Sequence, residues 1–185
     1  MDRRHPKSHC PSRRRFSHTL AVAAPALAVP GFAFAKSAEP RRLRLYHTHT
    51  SEKLDVVYHE NGAYLPDAIG ELNSVLRDHR SGEVIEMDPD LLDLLHAAQQ
   101  RLGSEGTYEI ISAYRSPATN EMLRRRGAGV ARRSMHLEGK AVDVRLTDAR
   151  TRDLRRVGIE LGRGGVGYYE RSNFVHFDTG RVRRW

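Results

Sequence analysis

The sequence is poor in cysteine and aromatic residues, and it has no uninterrupted apolar run long enough to cross a membrane. Its one cysteine is Cys10, and aromatic residues make up 7% of the chain. The most apolar stretch, 19–35, is broken by Pro25, Pro30 and Gly31, whereas a transmembrane helix needs about 20 apolar residues in succession. The chain therefore cannot form an internal disulfide, and thiol chemistry is excluded everywhere beyond Cys10.

The first 35 residues are typical of an export signal. A basic segment precedes the weakly apolar stretch, which ends in the small residues Ala33 and Ala35. The run from Ser12 to Phe16, SRRRF, has paired arginines followed by an aromatic residue, as in twin-arginine signals. We predict a twin-arginine signal peptide over 1–35, a periplasmic mature protein, and no stable membrane span after cleavage.

Removing this segment changes what the charge indicates. Residues 1–35 hold six Lys/Arg and one acid, so their loss lowers the formal net charge from +8 to +3. A charge of +3 on a chain of this size is not typical of nucleic-acid binding. We therefore expect no nucleic-acid partner.

Residues 36–185 are predicted to form one α+β domain. The patterns predict strands within 42–65, 107–116, 139–146 and 164–180, and helices over 66–80, 89–103, 117–127 and 147–162. Thr147 or Asp148 is expected to cap the last helix. Tight turns between the late strands favour a small antiparallel or mixed sheet with helices packed on one face.

Two strands carry metal-ligand residue types among apolar neighbours. In AVDVRL, Asp143 lies on the face opposite the valines, and in FVHFD, His176 and Asp178 share one face. An unpaired buried carboxylate costs several kcal/mol, which a nearby cation removes. His136 comes just before the AVDVRL strand. Together with Asp143 and His176 it supplies three N/O ligands, as in catalytic zinc sites. The alternative is that each is a polar group satisfied in an unrelated place.

The motifs around these residues identify a family. SAYRSPATNEMLRRRGAGVARRSMHLEGKAVDVRL and GGVGYYERSNFVHFDTGRVRRW closely resemble the exported YcbK/MepK-like murein peptidases, relatives of lysostaphin, the D-Ala-D-Ala metallopeptidases and the hedgehog domain. The resemblance extends from LNSVLRDHRSGEV to Trp185. It implies a hedgehog-like fold and Zn²⁺ held by His136, Asp143 and His176. It also implies that Arg115 binds a substrate carboxylate or the oxyanion. The alternative for Arg115 is a salt bridge that supports its loop.

The general base is less clear from this resemblance. Many D-Ala-D-Ala peptidases have an acid three residues before the last histidine ligand, where this chain has Asn173. Asp178 is the nearest substitute as catalytic base, and its alternative role is to orient His176 or to cap the following turn. Four further residues are weaker candidates by position alone: Glu138 and Glu170 as acids, Ser134 and Tyr169 as cleft lining.

The function implied is zinc-dependent hydrolysis of peptidoglycan stem peptides or cross-links, with a murein endopeptidase as the leading hypothesis. The sequence leaves open whether a D,D or an L,D bond is cut. Two alternatives remain: a non-catalytic zinc-containing wall-binding protein, and a carboxypeptidase that trims stem peptides. Segment 127–133 is either a rim of the cleft or a plain loop.

The other histidines are not assigned chemistry. The alternating motif His47–His49 is expected on an exposed strand face, because no third ligand is close in sequence. His59 is expected beside a turn, and His96 within a helix.

Overall fold

The fold combines one mixed sheet with four helices. The computed structural model describes residues 39–127 and 130–185. Its strands are β1 Arg41–His47, β2 Lys53–Glu60, β3 Ala63–Tyr64, β4 Tyr108–Ser112, β5 Ala141–Leu146, β6 Gly165–Tyr169, β7 Phe174–Asp178 and β8 Arg183–Arg184. The helices are α1 Pro66–Val75, α2 Pro89–Leu102, α3 Pro117–Arg125 and α4 Thr151–Leu161. Short 3₁₀ helices span Met135–Glu138 and Glu170–Ser172.

The predicted signal peptide over 1–35 lies outside the described residues. Among the residues that are described, no helix combines the length and the apolar character needed to cross a bilayer.

The strand order is β3-β2-β1-β4-β5-β7-β6-β8. Neighbouring strands are antiparallel, except that β1 runs parallel to β4 and β6 runs parallel to β8. This confirms the prediction of an α+β fold with a mixed sheet. The two-residue strand β8 was not predicted, because so short a segment has no measurable period.

Helices α1, α2 and α4 contribute to one apolar core on a single face of the sheet. The Tyr108 hydroxyl of β4 donates to the Leu95 carbonyl of α2 at 2.8 Å. The ring of Phe177 packs so closely against α4 that a Cβ on Gly158 would lie 2.2 Å from it. Since side chains alternate along a strand, the residues between these core positions face the opposite side, where the metal-ligand types lie.

The start of α4 differs from the prediction. The helix begins at Thr151 with Arg150 as its N-cap, so the predicted caps Thr147 and Asp148 are wrong. The Thr147 hydroxyl instead accepts a bond from the Thr107 amide at 2.9 Å. Asp148 accepts from the Ser104 hydroxyl at 2.7 Å, which binds it to the loop between α2 and β4. Both residues therefore form hydrogen bonds with the segment before β4 and do not begin a helix.

Helix α1 ends at Val75, five residues before the predicted end at residue 80. The chain turns after Leu76 because the buried carboxylate of Asp78 accepts from the amides of Arg80 and Ser116, both at 2.9 Å. This turn anchors the segment that carries Arg115, so the early end of α1 contributes directly to the site.

The histidine motif of β1 is not an exposed strand face. His47 is only 1% exposed, which contradicts the prediction for this residue, whereas His49 is exposed in the turn after β1. The rings of His49 and His79 stack with centroids 4.3 Å apart. His79 comes close only through folding, from the turn after α1. Stacked rings do not direct their nitrogens at a common point, and this cluster does not meet the geometry of a metal site.

Candidate metal centre

Three structural elements bring the predicted ligands together. Asp143 of β5 lies directly opposite His176 of β7 in the antiparallel register. His136 comes from the 3₁₀ helix Met135–Glu138, which ends at Gly139 with φ +67°. A Cβ on Gly139 would lie 2.8 Å from the Glu86 carbonyl oxygen, so this turn has room only for glycine. All three ligand residues are buried.

Their donor atoms converge on one point. His176 Nδ1 lies 2.9 Å from Asp143 Oδ1 and 3.2 Å from His136 Nε2. His136 Nε2 lies 3.4 Å from Asp143 Oδ2. One donor atom from each residue lies within 4.8 Å of the others. Over 39–127 and 130–185, this is the single group of three or more potential ligand residues with that geometry.

Hydrogen bonds indicate which nitrogen of each histidine can bind a metal. His136 Nδ1 donates to the Ala113 carbonyl oxygen at 2.6 Å, because a carbonyl can only accept. Both nitrogens of His176 lie 2.9 Å from a carboxylate oxygen, Nε2 from Asp178 Oδ2 and Nδ1 from Asp143 Oδ1. When His176 donates from Nε2 to Asp178, the lone pairs are on His136 Nε2 and His176 Nδ1, the two nitrogens that converge. Two such imidazoles and a carboxylate fit a divalent metal with one coordination position open.

Asp178 is fully buried and engaged on every side. Besides His176, its oxygens accept from the Arg183 guanidinium at 3.0 and 2.7 Å. The amides of Gly165 and Gly180 donate to Oδ1 at 3.1 and 2.9 Å. A carboxylate held by this many donors has little remaining capacity to accept a proton. The geometry therefore favours the role of orienting His176 over that of catalytic base.

The protonation of the site follows from these contacts. Burial alone would raise the pKa of Asp143, but the neighbouring His136 and His176 hold it well below its usual range. For Asp178, burial is likewise outweighed by hydrogen bonds from His176 and Arg183, and its pKa is lowered. Both carboxyl groups are thus ionised at neutral pH, as metal ligation and histidine orientation require.

Asn173 faces away from the cleft. It adopts a left-handed backbone conformation with φ +52°, and its side-chain oxygen accepts from the Thr151 hydroxyl at 2.9 Å. Asn173 thus joins the β6–β7 turn to the start of α4. The weaker acid candidates are also directed elsewhere: Glu138 pairs with Lys140 at 3.0 Å, and Glu170 lines a separate hollow of about 830 Å³.

Arg115 lines the metal cleft with unused hydrogen-bonding capacity. Its amide donates to the His136 carbonyl at 3.1 Å, which ties the segment to the ligand helix. The residue is 8% exposed; Nη1 donates to Asn120 Oδ1 at 3.4 Å, and Nε is buried without a partner within the described residues. Burial lowers the pKa of the guanidinium, while Asp143 opposes that effect. Among the carboxylates of the described chain, none forms a salt bridge with Arg115.

The cleft over the ligands has a volume of about 580 Å³. Ser134 and Tyr169 line it, as expected, and so does Arg133 at the end of segment 127–133. Arg183 and Trp185 also line it and were not predicted, because nothing in the spacing of RVRRW indicates a return to β6. The only feature of the sequence that could have indicated them is the short basic and aromatic segment that follows the strand of His176.

The fold and the converging donor atoms place the chain in one class of protein. It is an α+β protein whose three potential metal ligands lie beneath an open cleft, as in catalytic mononuclear metal sites. The chain belongs to the family described as peptidoglycan L,D-endopeptidase MepK, which matches residues 35–185.

Two relatives agree with this assignment by sequence identity. Peptidoglycan L,D-endopeptidase MepK of Escherichia coli K12 is 38% identical over 166 residues, covering 90% of this chain and 91% of the relative. The probable peptidoglycan L,D-endopeptidase MepK of Haemophilus influenzae is 37% identical over 154 residues, covering 83% of each. Among solved structures, the Serratia marcescens L-Ala D-Glu endopeptidase ChiX matches with a TM-score of 0.38 and 23% identity, covering 60% of this chain and 86% of ChiX.

Replacing Asp178 with asparagine should weaken metal binding about 10- to 100-fold, because His176 loses the charged acceptor that orients its ring. Metal affinity is measured by competition with a chromogenic chelator. Asp153→Asn, at a partly exposed acid paired with Arg150, is the matched control and should bind metal like the wild type. Unchanged affinity in Asp178→Asn would show that Asp178 serves only the turn.

Proposed function

We propose that the protein is a zinc-dependent murein endopeptidase that hydrolyses peptide bonds between an L- and a D-residue in peptidoglycan. The observation that carries the proposal is the convergence of His136 Nε2, His176 Nδ1 and an Asp143 oxygen beneath an open cleft. Membership of the MepK family supports peptidoglycan as the substrate and an L,D bond as the one cleaved. Two imidazoles and one carboxylate are a ligand set typical of catalytic zinc, which supports zinc as the metal.

The zinc, when bound, supplies Lewis acidity that polarises the scissile carbonyl and lowers the pKa of a coordinated water. The chain's own residues prepare the site. Ala113 and Asp178 contact His136 Nδ1 and His176 Nε2 and so orient both rings, so that the ligands need little rearrangement. We assign Asp178 to positioning His176. To act instead as the proton acceptor, it would first have to release part of its contact with Arg183 or His176.

Arg115 is proposed to bind negative charge on the substrate. Its guanidinium borders the cleft beside Asp143 and forms one long hydrogen bond, to Asn120. A planar fork of donors fits either a substrate carboxylate or the oxyanion of the tetrahedral intermediate. A terminal stem carboxylate would make the protein a carboxypeptidase, so the identity of this anion also separates two of the candidate functions.

The site of action is proposed to be the periplasm, where peptidoglycan is accessible. The paired arginines of SRRRF, followed by a weakly apolar stretch, support export as a folded protein. A metal site that is completed only on folding is compatible with that route.

The proposed activity is tested by incubating the purified protein with defined cross-linked muropeptides and identifying products by mass spectrometry. We expect cleavage at L,D bonds and not at D,D bonds, loss of cleavage with a chelator, and recovery on adding zinc. Asp143→Ala should lose both activity and bound metal, whereas Asp153→Ala should keep both. Binding to sacculi without any released peptide would instead support the non-catalytic wall-binding protein.

Arg115→Gln should lower kcat/KM by about 100-fold, since a buried charge-assisted contact to the substrate is lost. The same measurement is made with substrates whose free carboxylates are amidated. If Arg115 binds a carboxylate, amidation harms the wild type but not the variant. If it binds the oxyanion, amidation affects both proteins equally. Equal kcat/KM for the wild type and Arg115→Gln would remove the residue from the mechanism.

Changing Arg13 and Arg14 to lysine should block export and leave unprocessed precursor in the cytoplasm, because the receptor reads both arginines of the motif. Cell fractionation with immunoblotting measures the distribution. The pair Arg3 and Arg4, which lacks the flanking Ser and Phe, is the matched control and should tolerate lysine. Normal periplasmic delivery of the Arg13/Arg14 variant would contradict a twin-arginine signal.

A further inference from the structure

The groups of the cleft that can stabilise a developing negative charge are its hydrogen-bond donors, Arg115 among them. Among its described lining residues, Asp143 is the one acid. Asp178 is turned toward Arg183 and two backbone amides, and Asn173 is turned toward Thr151. Peptide hydrolysis builds negative charge on the scissile carbonyl oxygen, and enzymes meet it with preorganised donors. The described lining therefore has to supply such donors from residues other than these.

Tyr169 lies on the same face of the sheet as the metal ligands. On β6, Gly167 is opposite His176 and Tyr169 is opposite Phe174, so Gly167 and Tyr169 point to the cleft side. The Tyr169 ring stacks on Phe174 with centroids 4.5 Å apart and planes 18° apart. This stacking limits the rotation of the ring, while the residue remains 41% exposed and thus accessible to a substrate.

Trp185 determines which hydrogen bond the Tyr169 hydroxyl can still make. The indole Nε1 donates to Tyr169 Oη at 3.1 Å. Because an indole N–H can only donate, the phenol oxygen accepts this bond and its own proton is left to donate to another group. Within the described residues, no acceptor for this proton is found.

The indole itself is held firmly against the metal site. Trp185 exchanges backbone hydrogen bonds with β6, donating to Val166 O at 3.2 Å and accepting from Tyr168 N at 3.0 Å. Its ring covers Gly167, where a Cβ would lie 2.6 Å from the indole, and its centroid lies 5.2 Å from that of His176. The Tyr169 hydroxyl, which contacts this indole, therefore lies beside the metal ligands.

We propose that Tyr169 is a further catalytic residue, whose hydroxyl donates a hydrogen bond to the scissile carbonyl oxygen as negative charge develops on it, with Trp185 as its positioning residue. No proton is transferred: the phenol stays protonated, and the bond strengthens in the transition state. The inference rests on the proposed function, because it needs a peptide bond at this site.

Tyr169→Phe keeps the ring and its stacking but removes the donor. We expect kcat to fall about 100-fold, with KM changed less than about twofold and metal content unchanged, because the bond forms mainly in the transition state. A phosphinic pseudopeptide, which mimics the tetrahedral state, should bind more weakly by a similar factor. Tyr168→Phe is the matched control: Tyr168 faces the other side of the strand, near Arg155, and should retain wild-type kcat.

The positioning role of Trp185 is tested by a double-mutant cycle. Trp185→Phe should lower kcat about threefold to tenfold in the wild type, because the phenol loses its orienting donor. In the Tyr169→Phe background it should change kcat less than about twofold, since no hydroxyl remains to be oriented. A purely structural tryptophan would lower kcat equally in both backgrounds, which would overturn its positioning role.

The outcomes separate this inference from the proposed function. A wild type that cleaves muropeptides beside a Tyr169→Phe variant with kcat within twofold of it would overturn the catalytic role of Tyr169 and leave the peptidase assignment intact. A loss confined to KM would also overturn that role. A zinc-loaded wild type that cleaves no muropeptide would overturn the proposed function, and this inference with it.

Discussion

The site depends on two hydrogen bonds that orient the rings of its two histidines. His136 Nδ1 donates a hydrogen bond to the Ala113 carbonyl oxygen, and His176 Nε2 lies within hydrogen-bond distance of Asp178. With those protons assigned, the two remaining lone pairs and Asp143 point to one place. Either tautomer reversed would direct a proton at the metal position. Metal binding at this place, and with it the proposed chemistry, requires this choice of tautomer.

The sheet holds the two histidines in place because one of its faces packs on the core and the other carries the metal ligands. Helices α1, α2 and α4 pack against one face and fix the strands through an apolar core. On the other face, the register of β5 and β7 sets Asp143 opposite His176. Arg183, from the last strand, neutralises Asp178 behind the histidine. A single packed core therefore makes the polar face rigid, and a preorganised site requires that rigidity.

Local patterns in the sequence were enough to predict part of this arrangement. Period two placed Asp143 and His176 on the faces opposite their apolar neighbours, and the fold class followed from the order of elements. Contacts between distant segments were not predictable. Residue spacing does not encode the donors around Asp178, the turn of Asn173 toward Thr151, or the burial of His47. The start of α4 was misplaced for the same reason, because Asp148 bonds a loop distant in sequence.

The most direct test of the account is a crystal structure of the zinc-loaded protein with anomalous diffraction measured at the zinc edge. The account predicts one ion within about 2.0–2.2 Å of His136 Nε2, His176 Nδ1 and an Asp143 oxygen. Ala113 and Asp178 should still hold the opposite ring nitrogens. An ion bound elsewhere in the protein, or bound through His176 Nε2, would contradict it.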